Sequence, residues 1–271
     1  MQQSGNIKLA VQNVAKTFRI RGAAGESSSL LRVLGGVSFD VKENEIVSLI
    51  GESGCGKTTL LRIVQGLLRY DAGAIKVDGN SVTVPGRDRG FVFQQSSLLP
   101  WRTARTNVEF GLELAGVPKK ERNAKSTELL KLVGLSHASE QFPHELSGGM
   151  QQRVNLARAL AIEPAILLMD EPFSALDAQT REVLQAELLR VQNETNKTIL
   201  FVTHDLDEAI YLSNRVVVLA AKPGRVKKII DIPFGRNRPS LPELRNDPQF
   251  QRIRAEMWDL IRNAPVAAAA N

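Results

Sequence analysis

The feature that most constrains the fold of this chain is the segment GESGCGKT at residues 51–58. It fits the pattern G-x-x-x-x-G-K-[ST], which cradles phosphate where a strand leads into the loop and a helix leads out of it. The apolar run at residues 46–50 is typical of a strand buried on both faces of a parallel sheet. Apolar residues recur at helical spacing on the other side: Leu60, Leu61, Val64, Leu67 and Leu68. The segment therefore predicts a strand, a tight loop and a helix in that order.

Strands and helices alternate through most of the remaining chain. Apolar runs predict further buried strands at residues 91–93, 166–169, 198–202 and 216–219. This alternation is typical of an α/β fold, with a parallel sheet and right-handed crossovers. A long, mostly helical stretch separates the first two of these strands. It predicts an inserted α-helical subdomain at about residues 96–162.

The N-terminal part predicts a smaller β unit. Apolar residues alternate with polar ones in two places: Ile7, Leu9 and Val11, and then Val37, Phe39 and Val41. A period of two is typical of half-buried strands. Residues 21–29 between them are small and polar, so we expect an exposed hairpin loop there.

The C-terminal part predicts a linker and one helix. Residues 233–242 contain three prolines and predict the linker. Apolar residues then mark an amphipathic helix: Phe250, Ile253, Met257, Leu260 and Ile261. Trp258 lies beside this stripe and is expected to pack in the core, and the last residues are expected to fray.

Length and composition limit the class of protein. A chain of 271 residues holds one large domain, or one domain with a subdomain. Its single cysteine excludes a disulfide framework and favours a reducing compartment. No apolar run reaches the ~18–20 residues that span a bilayer, and no signal peptide is visible. Any membrane process would therefore need another chain to cross the membrane.

The positive charge is concentrated near the C-terminus. The net charge is +6, and residues 222–262 contain ten lysines and arginines against five acidic residues. Such a surplus suits an anionic membrane surface or nucleic acid, or it is a solvated face. The interspersed acidic residues, and aromatic residues better suited to packing than to base stacking, argue against a nucleic-acid partner.

The composition of the loop at residues 51–58 explains how it would hold phosphates. Its glycines let backbone N–H groups converge on an anion, and the helix that follows adds its positive end. Lys57 can reach the β- and γ-phosphates, and the Thr58 hydroxyl can ligate Mg²⁺. The residues predicted to bind the nucleotide here are Gly51, Glu52, Ser53, Gly54, Cys55, Gly56, Lys57, Thr58 and Thr59. A chance glycine-rich turn is the alternative, and the strand–loop–helix context argues against it.

Cys55 occupies a variable position of this loop. A helix N-terminus and Lys57 lie beside it, and both predict a lowered pKa for the thiol. Bound ATP should then protect Cys55 from alkylation. The alternative is a small residue that is tolerated at this position.

Two neighbouring carboxylates end the apolar strand at residues 166–169. Because successive side chains on a strand point in opposite directions, Asp170 and Glu171 are expected to have different roles. Asp170 is the better candidate for holding Mg²⁺, and Glu171 for the general base that polarises the attacking water. An ordinary exposed acidic strand end is the alternative.

His204 follows the strand at residues 198–202. This is the edge at which open α/β sheets bind their ligands. His204 could therefore contact the γ-phosphate and the water, or it could only cap the turn.

The segment LSGGMQQR at residues 146–153 lies between the phosphate loop and the acidic strand. It resembles the signature motif of the ATP-binding subunits of ABC transporters. Gln94 matches the Q-loop glutamine of that superfamily, residues 174–177 match its D-loop, and His204 matches its switch histidine. Phe18 lies where these ATPases carry an aromatic residue that stacks on adenine, although most members have tyrosine there.

The resemblance implies a P-loop NTPase (RecA-like) core within an ABC ATPase domain at residues 7–233. An N-terminal antiparallel β subdomain and the helical insertion complete the domain, and residues 234–271 form the linker and C-terminal helix. The implied cofactors are ATP and Mg²⁺, with Gln94 contacting both. Lys57, Glu171 and His204 are the implied catalytic residues, and Thr58 and Asp170 join Gln94 at the metal.

Ser147 and Gly149 open a predicted helix, which makes a second anion-binding helix start in the chain. The residues alone do not say whether both sites act within one chain. The resemblance implies a head-to-tail dimer of two copies, in which Ser147 and Gly149 bind the ATP of the partner.

Three shorter segments, at residues 98–103, 205–209 and 223–225, resemble the nitrate, sulfonate and taurine importers. They imply a peripheral subunit at the cytoplasmic face of the inner membrane. It would energise uptake of a small anion through an integral membrane permease, with an extracytoplasmic solute-binding protein as an indirect partner. Trp101 lies in the region near the permease contact in that family, or it packs its own loop.

Three other functions stay open. A soluble ABC ATPase acting on DNA or ribosomes usually has two ATPase domains or a long coiled-coil insertion, and this chain has neither. A small-molecule phosphotransferase would not explain residues 146–153. An ABC exporter subunit is distinguished only by the subfamily resemblance.

Overall fold

The computed structural model describes residues 6–20, 29–235 and 237–262. The strands are β1 (Ile7–Ile20), β2 (Ser29–Lys42), β3 (Ile46–Gly51), β4 (Ala72–Val77), β5 (Asn80–Ser81), β6 (Arg89–Val92), β7 (Ile166–Asp170), β8 (Thr198–Val202), β9 (Arg215–Ala220) and β10 (Arg225–Asp231). The helices are α1 (Lys57–Gln65), α2 (Ala104–Leu114), α3 (Lys119–Leu132), α4 (Gly148–Ala161), α5 (Ala178–Thr195), α6 (Leu206–Leu212), α7 (Leu241–Leu244) and α8 (Pro248–Arg262). None of the helices in these ranges is long and apolar enough to span a bilayer. The predicted hairpin loop, at residues 21–29, lies outside the described residues except for Ser29, which begins β2, and the predicted frayed end lies outside them too.

A six-stranded sheet in the order β10-β9-β3-β8-β7-β6 forms the centre of the fold. The strands from β9 to β6 are parallel, and β10 is antiparallel to β9. β3 is buried along its whole length, since all its residues except Ser48 are apolar or glycine. The carboxyl ends of parallel strands meet at one edge of a sheet. Gly51, Asp170 and Val202 therefore bring the three predicted site segments together, and the predicted α/β class is confirmed.

A second, antiparallel sheet in the order β2-β1-β4-β5 covers one side of the core. Leu9 and Val37 from this sheet share a buried cluster with Leu49 of β3 and Leu60 of α1. This is the predicted N-terminal β unit. Its apolar face is buried because it packs on the phosphate-loop side of the central sheet.

Helices α2, α3 and α4 lie between β6 and β7, where the sequence predicts the helical insertion. The side chain of Thr103 caps α2 by accepting a hydrogen bond from the Thr106 N–H. Ser147 caps α4 in the same way. Such side-chain caps satisfy N–H groups that have no partner inside the helix.

Helix α1 is shorter than its apolar spacing predicts. Gly66 takes a left-handed conformation with φ 85°, which ends the helix after Gln65. Leu67 therefore lies beyond the helix and is 59% exposed, while Leu60 and Leu61 are buried. The prediction that Leu67 shares their buried face is wrong because spacing alone does not show where a helix ends.

Described residues of the proline-containing segment at 233–242, where the sequence predicts a linker, pack on the core. The ring of Phe234 lies 6.2 Å from that of Phe250 in α8. The guanidinium of Arg238 donates to three backbone carbonyls at the end of α6 and just after it. The prolines interrupt regular structure here without detaching the segment. The boundary between residues 233 and 234 stays a prediction.

Phe250→Ala is expected to lower the free energy of unfolding by about 3–5 kcal/mol. The Phe250 side chain is fully buried, so its removal leaves a cavity in the core. Trp258→Ala is the matched control on the same helix. Trp258 is 49% exposed, with the Arg262 guanidinium 5.1 Å from its ring, so the expectation of a core tryptophan is wrong. We expect Trp258→Ala to lower the free energy of unfolding by less than about 1 kcal/mol. Urea denaturation measures both values, and equal losses would contradict the packing of α8.

Candidate nucleotide-binding and catalytic site

A cavity of about 590 Å³ opens at the sheet edge where β3, β7 and β8 end. Ligand cavities in proteins are typically about 300–1,000 Å³. The cavity is lined by Leu31, Val33, Ser53, Gly54, Gly56, Lys57, Thr58, Thr59, Glu171 and His204. The fold therefore joins most of the predicted phosphate loop to the predicted base and histidine.

Lys57 is the first residue of α1, and its amino group folds back onto the loop. Its Nζ donates to the carbonyls of Gly51 at 2.7 Å and Glu52 at 3.2 Å. Gly56 precedes the helix with φ 96°, and a Cβ there would lie 2.6 Å from Cδ2 of Leu34. Glycine avoids both the strained backbone and this clash. Lys57 thus lines the cavity while its ammonium group lies on the loop carbonyls.

Thr58 and Asp170 lie together at the end of β7. Thr58 Oγ1 donates to Asp170 Oδ1 at 3.3 Å, and burial raises the pKa of Asp170. Both side chains offer the oxygen ligands that Mg²⁺ prefers, and Mg²⁺ commonly takes only one or two protein ligands beside phosphate and water. Among the described residues, no group of three His, Cys, Asp or Glu side chains could hold a metal. The pair fits a Mg²⁺ ion that shares its ligands with a nucleotide.

Glu171 and His204 contact each other in the cavity, with His204 Nδ1 3.0 Å from Glu171 Oε2. β7 ends at Asp170, and Glu171 takes a left-handed backbone with φ 47°. Glu171 therefore lies outside the strand. The prediction that strand alternation points Asp170 and Glu171 in opposite directions is wrong. The two carboxylates nevertheless have separate partners, because Asp170 contacts Thr58.

Gln94 lies in the exposed loop after β6 and is not among the residues that line the cavity. Two side chains of helix α4 donate hydrogen bonds to the backbone of this loop. Gln152 Nε2 donates to the Phe93 carbonyl at 3.0 Å, and Arg158 Nη2 donates to the Ser96 carbonyl at 3.0 Å. Arg158 was not predicted from the sequence. The signal that could have found it is the run of polar side chains at helical spacing along α4. The role of Gln94 stays a prediction.

Ser147 and Gly149 do not line this cavity. The Ser147 hydroxyl accepts a hydrogen bond from the Met150 N–H at 3.3 Å. Gly149 packs against α5, where a Cβ would lie 2.8 Å from Cγ2 of Thr180. One chain therefore does not bring Ser147 and Gly149 into its own phosphate cavity, and their contact with the ATP of a second copy stays a prediction.

Phe18 lies in β1, half-buried, and does not line the cavity. The Lys16 ammonium lies 5.4 Å from the centre of its ring. Phe18 pairs with Leu31 of the neighbouring strand, and Leu31 and Val33 do line the cavity. These two residues were not predicted, since the exposure of the apolar side chain at position 31 is known only from the structure. Stacking of Phe18 on adenine stays a prediction.

Cys55 turns away from the cavity. Its side chain is fully buried in the cluster that contains Leu34 and Leu60. Burial raises the pKa of the thiol, and the nearby Lys57 charge only partly opposes this. The predicted lowering of the pKa is wrong because removing a thiolate from water outweighs the attraction of the ammonium group.

Cys55 is expected to react with an alkylating reagent at least about tenfold more slowly in the folded protein than in denaturing urea, with or without ATP. Both its burial and its raised thiol pKa reduce the reactive thiolate. Mass spectrometry of the labelled protein measures the rates. Fast labelling that ATP suppresses would contradict the buried orientation.

Comparison with known proteins shows the family of the chain. The ABC transporter family matches the chain over residues 34–174, which include the phosphate loop, the signature segment and the acidic pair. The taurine import ATP-binding protein TauB of Rhizobium johnstonii is 47% identical over 230 residues, 84% of this chain and 88% of the relative. The bicarbonate transport ATP-binding protein CmpC of Synechococcus elongatus is 42% identical over 252 residues, 92% of this chain and 37% of the relative.

A solved structure has the same fold. It is the dimeric, post-hydrolysis state of the ATP-binding cassette MJ0796 bound to ADP and Pi. Its TM-score is 0.69 at 34% identity, and the alignment covers 83% of this chain and 98% of that chain. Since the family match spans residues 34–174 and TauB of Rhizobium johnstonii is 47% identical over 84% of this chain, the chain belongs to the ABC transporter family and is one of its ATPases.

Proposed function

We propose that this ATPase energises the import of a small anion through a separate membrane permease. The observation that carries ATP hydrolysis is the convergence of Lys57, Thr58, Glu171 and His204 on one cavity. The likeness to relatives named for taurine import and bicarbonate transport supports import and a small anionic solute. The solute class is therefore a sulfonate, nitrate or bicarbonate type of anion.

The phosphates of ATP occupy the cavity at the N-terminus of α1. Lys57 exchanges the carbonyls of Gly51 and Glu52 for phosphate oxygens, since its ammonium group already lies at the loop. Thr58 and Asp170 would hold Mg²⁺, which would neutralise phosphate charge. Both side chains carry oxygen donors at the end of the phosphate loop.

Glu171 accepts the proton of the attacking water, and His204 fixes the direction of its carboxylate. The 3.0 Å contact between them leaves the second carboxylate oxygen of Glu171 for the water. Proton transfer requires that the base lie within hydrogen-bond distance of its proton, so the orientation of Glu171 decides the rate.

Two copies of the chain form the working ATPase. Ser147 and Gly149 lie outside the phosphate cavity of their own chain, at the capped start of α4. Helix starts bind anions, so these residues suit the γ-phosphate held by a second copy. The dimeric state of MJ0796 supports this arrangement.

The exposed side chain of Trp101 marks the contact with the permease. It is 71% exposed, just before α2, and Leu114 at the other end of α2 is as exposed. Large exposed apolar side chains are typical of interaction surfaces. The chain then acts as a peripheral subunit at the cytoplasmic face of the membrane, with a solute-binding protein as an indirect partner.

The permease contact is tested by capture of the tagged chain from detergent-solubilised membranes of its source, with mass spectrometry of the bound proteins. We expect a multi-span permease in comparable amount. Trp101→Ala should reduce its recovery, while Trp258→Ala, the second exposed tryptophan, should leave it unchanged. Recovery of only soluble chains, ribosomes or DNA-bound complexes would overturn the transport function and leave the ATPase in place.

The solute is tested by uptake of labelled taurine, nitrate and bicarbonate in cells that lack this chain. We expect uptake of one of them to be lost, restored by the natural chain and not restored by Glu171→Gln. Unchanged uptake of all three would contradict a solute of this class.

A further inference from the structure

Basic side chains of the C-terminal segment form ion pairs with helices of the ATPase core. Arg245, which follows α7, bridges α5 and α6, which both lie well before it in the sequence. Its Nη1 donates to Glu182 Oε1 of α5 at 2.7 Å, and its Nε donates to Asp207 Oδ2 of α6 at 2.9 Å. The surplus of positive charge thus includes a side chain that joins two helices of the ATPase core.

Two more arginines donate hydrogen bonds to α6 and to the residue that follows it. Arg254 of α8 donates to the second carboxylate oxygen of Asp207 at 2.7 Å. Arg238 donates to the Ile210 and Ser213 carbonyls, at 3.0 Å and 2.8 Å. Helix α6 is therefore held near its first turn by two arginines and at its last turn by a third.

The helices that Arg245 joins also contact each other. Gln185 of α5 donates to the buried carboxyl of Glu208 in α6 at 2.9 Å. Arg181 of α5 lies 3.6 Å from Asp205, which caps α6. Arg245 adds to the polar links between α5 and α6. Glu171 lies in the segment that leads from β7 into α5, and His204 lies just before the cap of α6.

We propose that Arg245 is a positioning residue, which holds His204 against Glu171 by locking α6 to α5. His204 lies just before the cap of α6, and its side chain is largely exposed, so its place depends on where α6 begins. Displacement of a catalytic group by ~1 Å can cost about 10²-fold in rate. This inference deepens the proposed function because it rests on the role of His204 there.

Arg245→Ala is the variant that tests the link, and Arg245→Lys is the conservative one. Lysine keeps the charge but lacks the forked donors that reach both carboxylates. Arg252→Ala is the matched control, because Arg252 is an exposed arginine of α8 whose Nε donates only within its own helix, to the Pro248 carbonyl. All are measured as full-length chains, by steady-state ATP hydrolysis and by amide hydrogen exchange over residues 203–208.

For Arg245→Ala we expect kcat to fall about tenfold with the KM for ATP within about twofold, since the nucleotide cradle is not touched. Exchange over residues 203–208 should accelerate, Arg245→Lys should be intermediate, and Arg252→Ala should match the natural chain. Adding Arg245→Ala to His204→Ala should cause no further loss, because both act on one contact.

Unchanged exchange over residues 203–208 in Arg245→Ala overturns the positioning role. An Arg252→Ala variant that loses as much kcat overturns it too, since the effect would then follow from charge alone. Normal hydrolysis by His204→Ala instead contradicts the proposed function of His204, and the exchange measurement still decides the link between Arg245 and α6.

Discussion

Glu171→Gln is expected to lower the rate of ATP hydrolysis by about 10²–10⁴-fold while ATP binding is retained. Glutamine has the size of glutamate but cannot take up the proton of water. The 3.0 Å contact with His204 can persist, because the amide also offers a hydrogen-bonding group. Unhydrolysed ATP should then hold two copies together. Phosphate release measures turnover, and size-exclusion chromatography with ATP measures the dimer.

The matched control for this substitution is Glu163→Gln. Glu163 lies at the opposite end of β7 from Glu171, and its carboxylate is mostly exposed and pairs with Lys125 at 2.8 Å. We expect near-normal hydrolysis from the control. Near-normal hydrolysis by Glu171→Gln itself would refute the assignment of the general base, whatever the state of the dimer.

Lys57→Ala should weaken ATP binding and lower hydrolysis by about 10²–10³-fold, the usual effect of removing one preorganised charge donor. Lys57 is buried, and its ammonium group is placed at the loop by the Gly51 and Glu52 carbonyls. The substitution replaces the ammonium group with a methyl group, and no other side chain at residues 51–58 carries a positive charge. Titration with a fluorescent ATP analogue measures affinity, and phosphate release measures turnover.

Lys120→Ala, an exposed lysine of α3, removes the same charge away from the cavity and should leave both quantities unchanged. Thermal unfolding separates the two causes of failure, since a variant with a normal melting temperature has lost a phosphate contact and not its fold. Normal affinity and turnover in Lys57→Ala would count against the phosphate cradle.

The joining of the phosphate loop to the acidic pair was predictable because each segment follows an apolar strand. Gly51, Asp170 and Val202 end β3, β7 and β8, and the parallel order of these strands places their ends at one edge. Hydrophobic pattern and motif were therefore enough to group Lys57 with Glu171. The match to the ABC transporter family spans both segments.

The direction of individual side chains was less predictable. Cys55 belongs to the phosphate loop, yet its thiol points into the apolar cluster and its pKa rises. Leu31 lines the cavity, while Phe18, which pairs with it and was expected to stack on adenine, does not. In both cases the loop or strand was placed correctly, and the packing around it decided which atoms face the nucleotide.

By itself, the sequence determined the α/β class, the phosphate loop and the acidic strand end, because each depends on residues close together in the chain. Only the tertiary structure decided that Glu171 meets His204 and that Arg245 joins Glu182 to Asp207. It also decided that the proline-rich segment packs on the core. These contacts link side chains distant in sequence, and their geometry follows from how whole helices and strands pack, which no local pattern records.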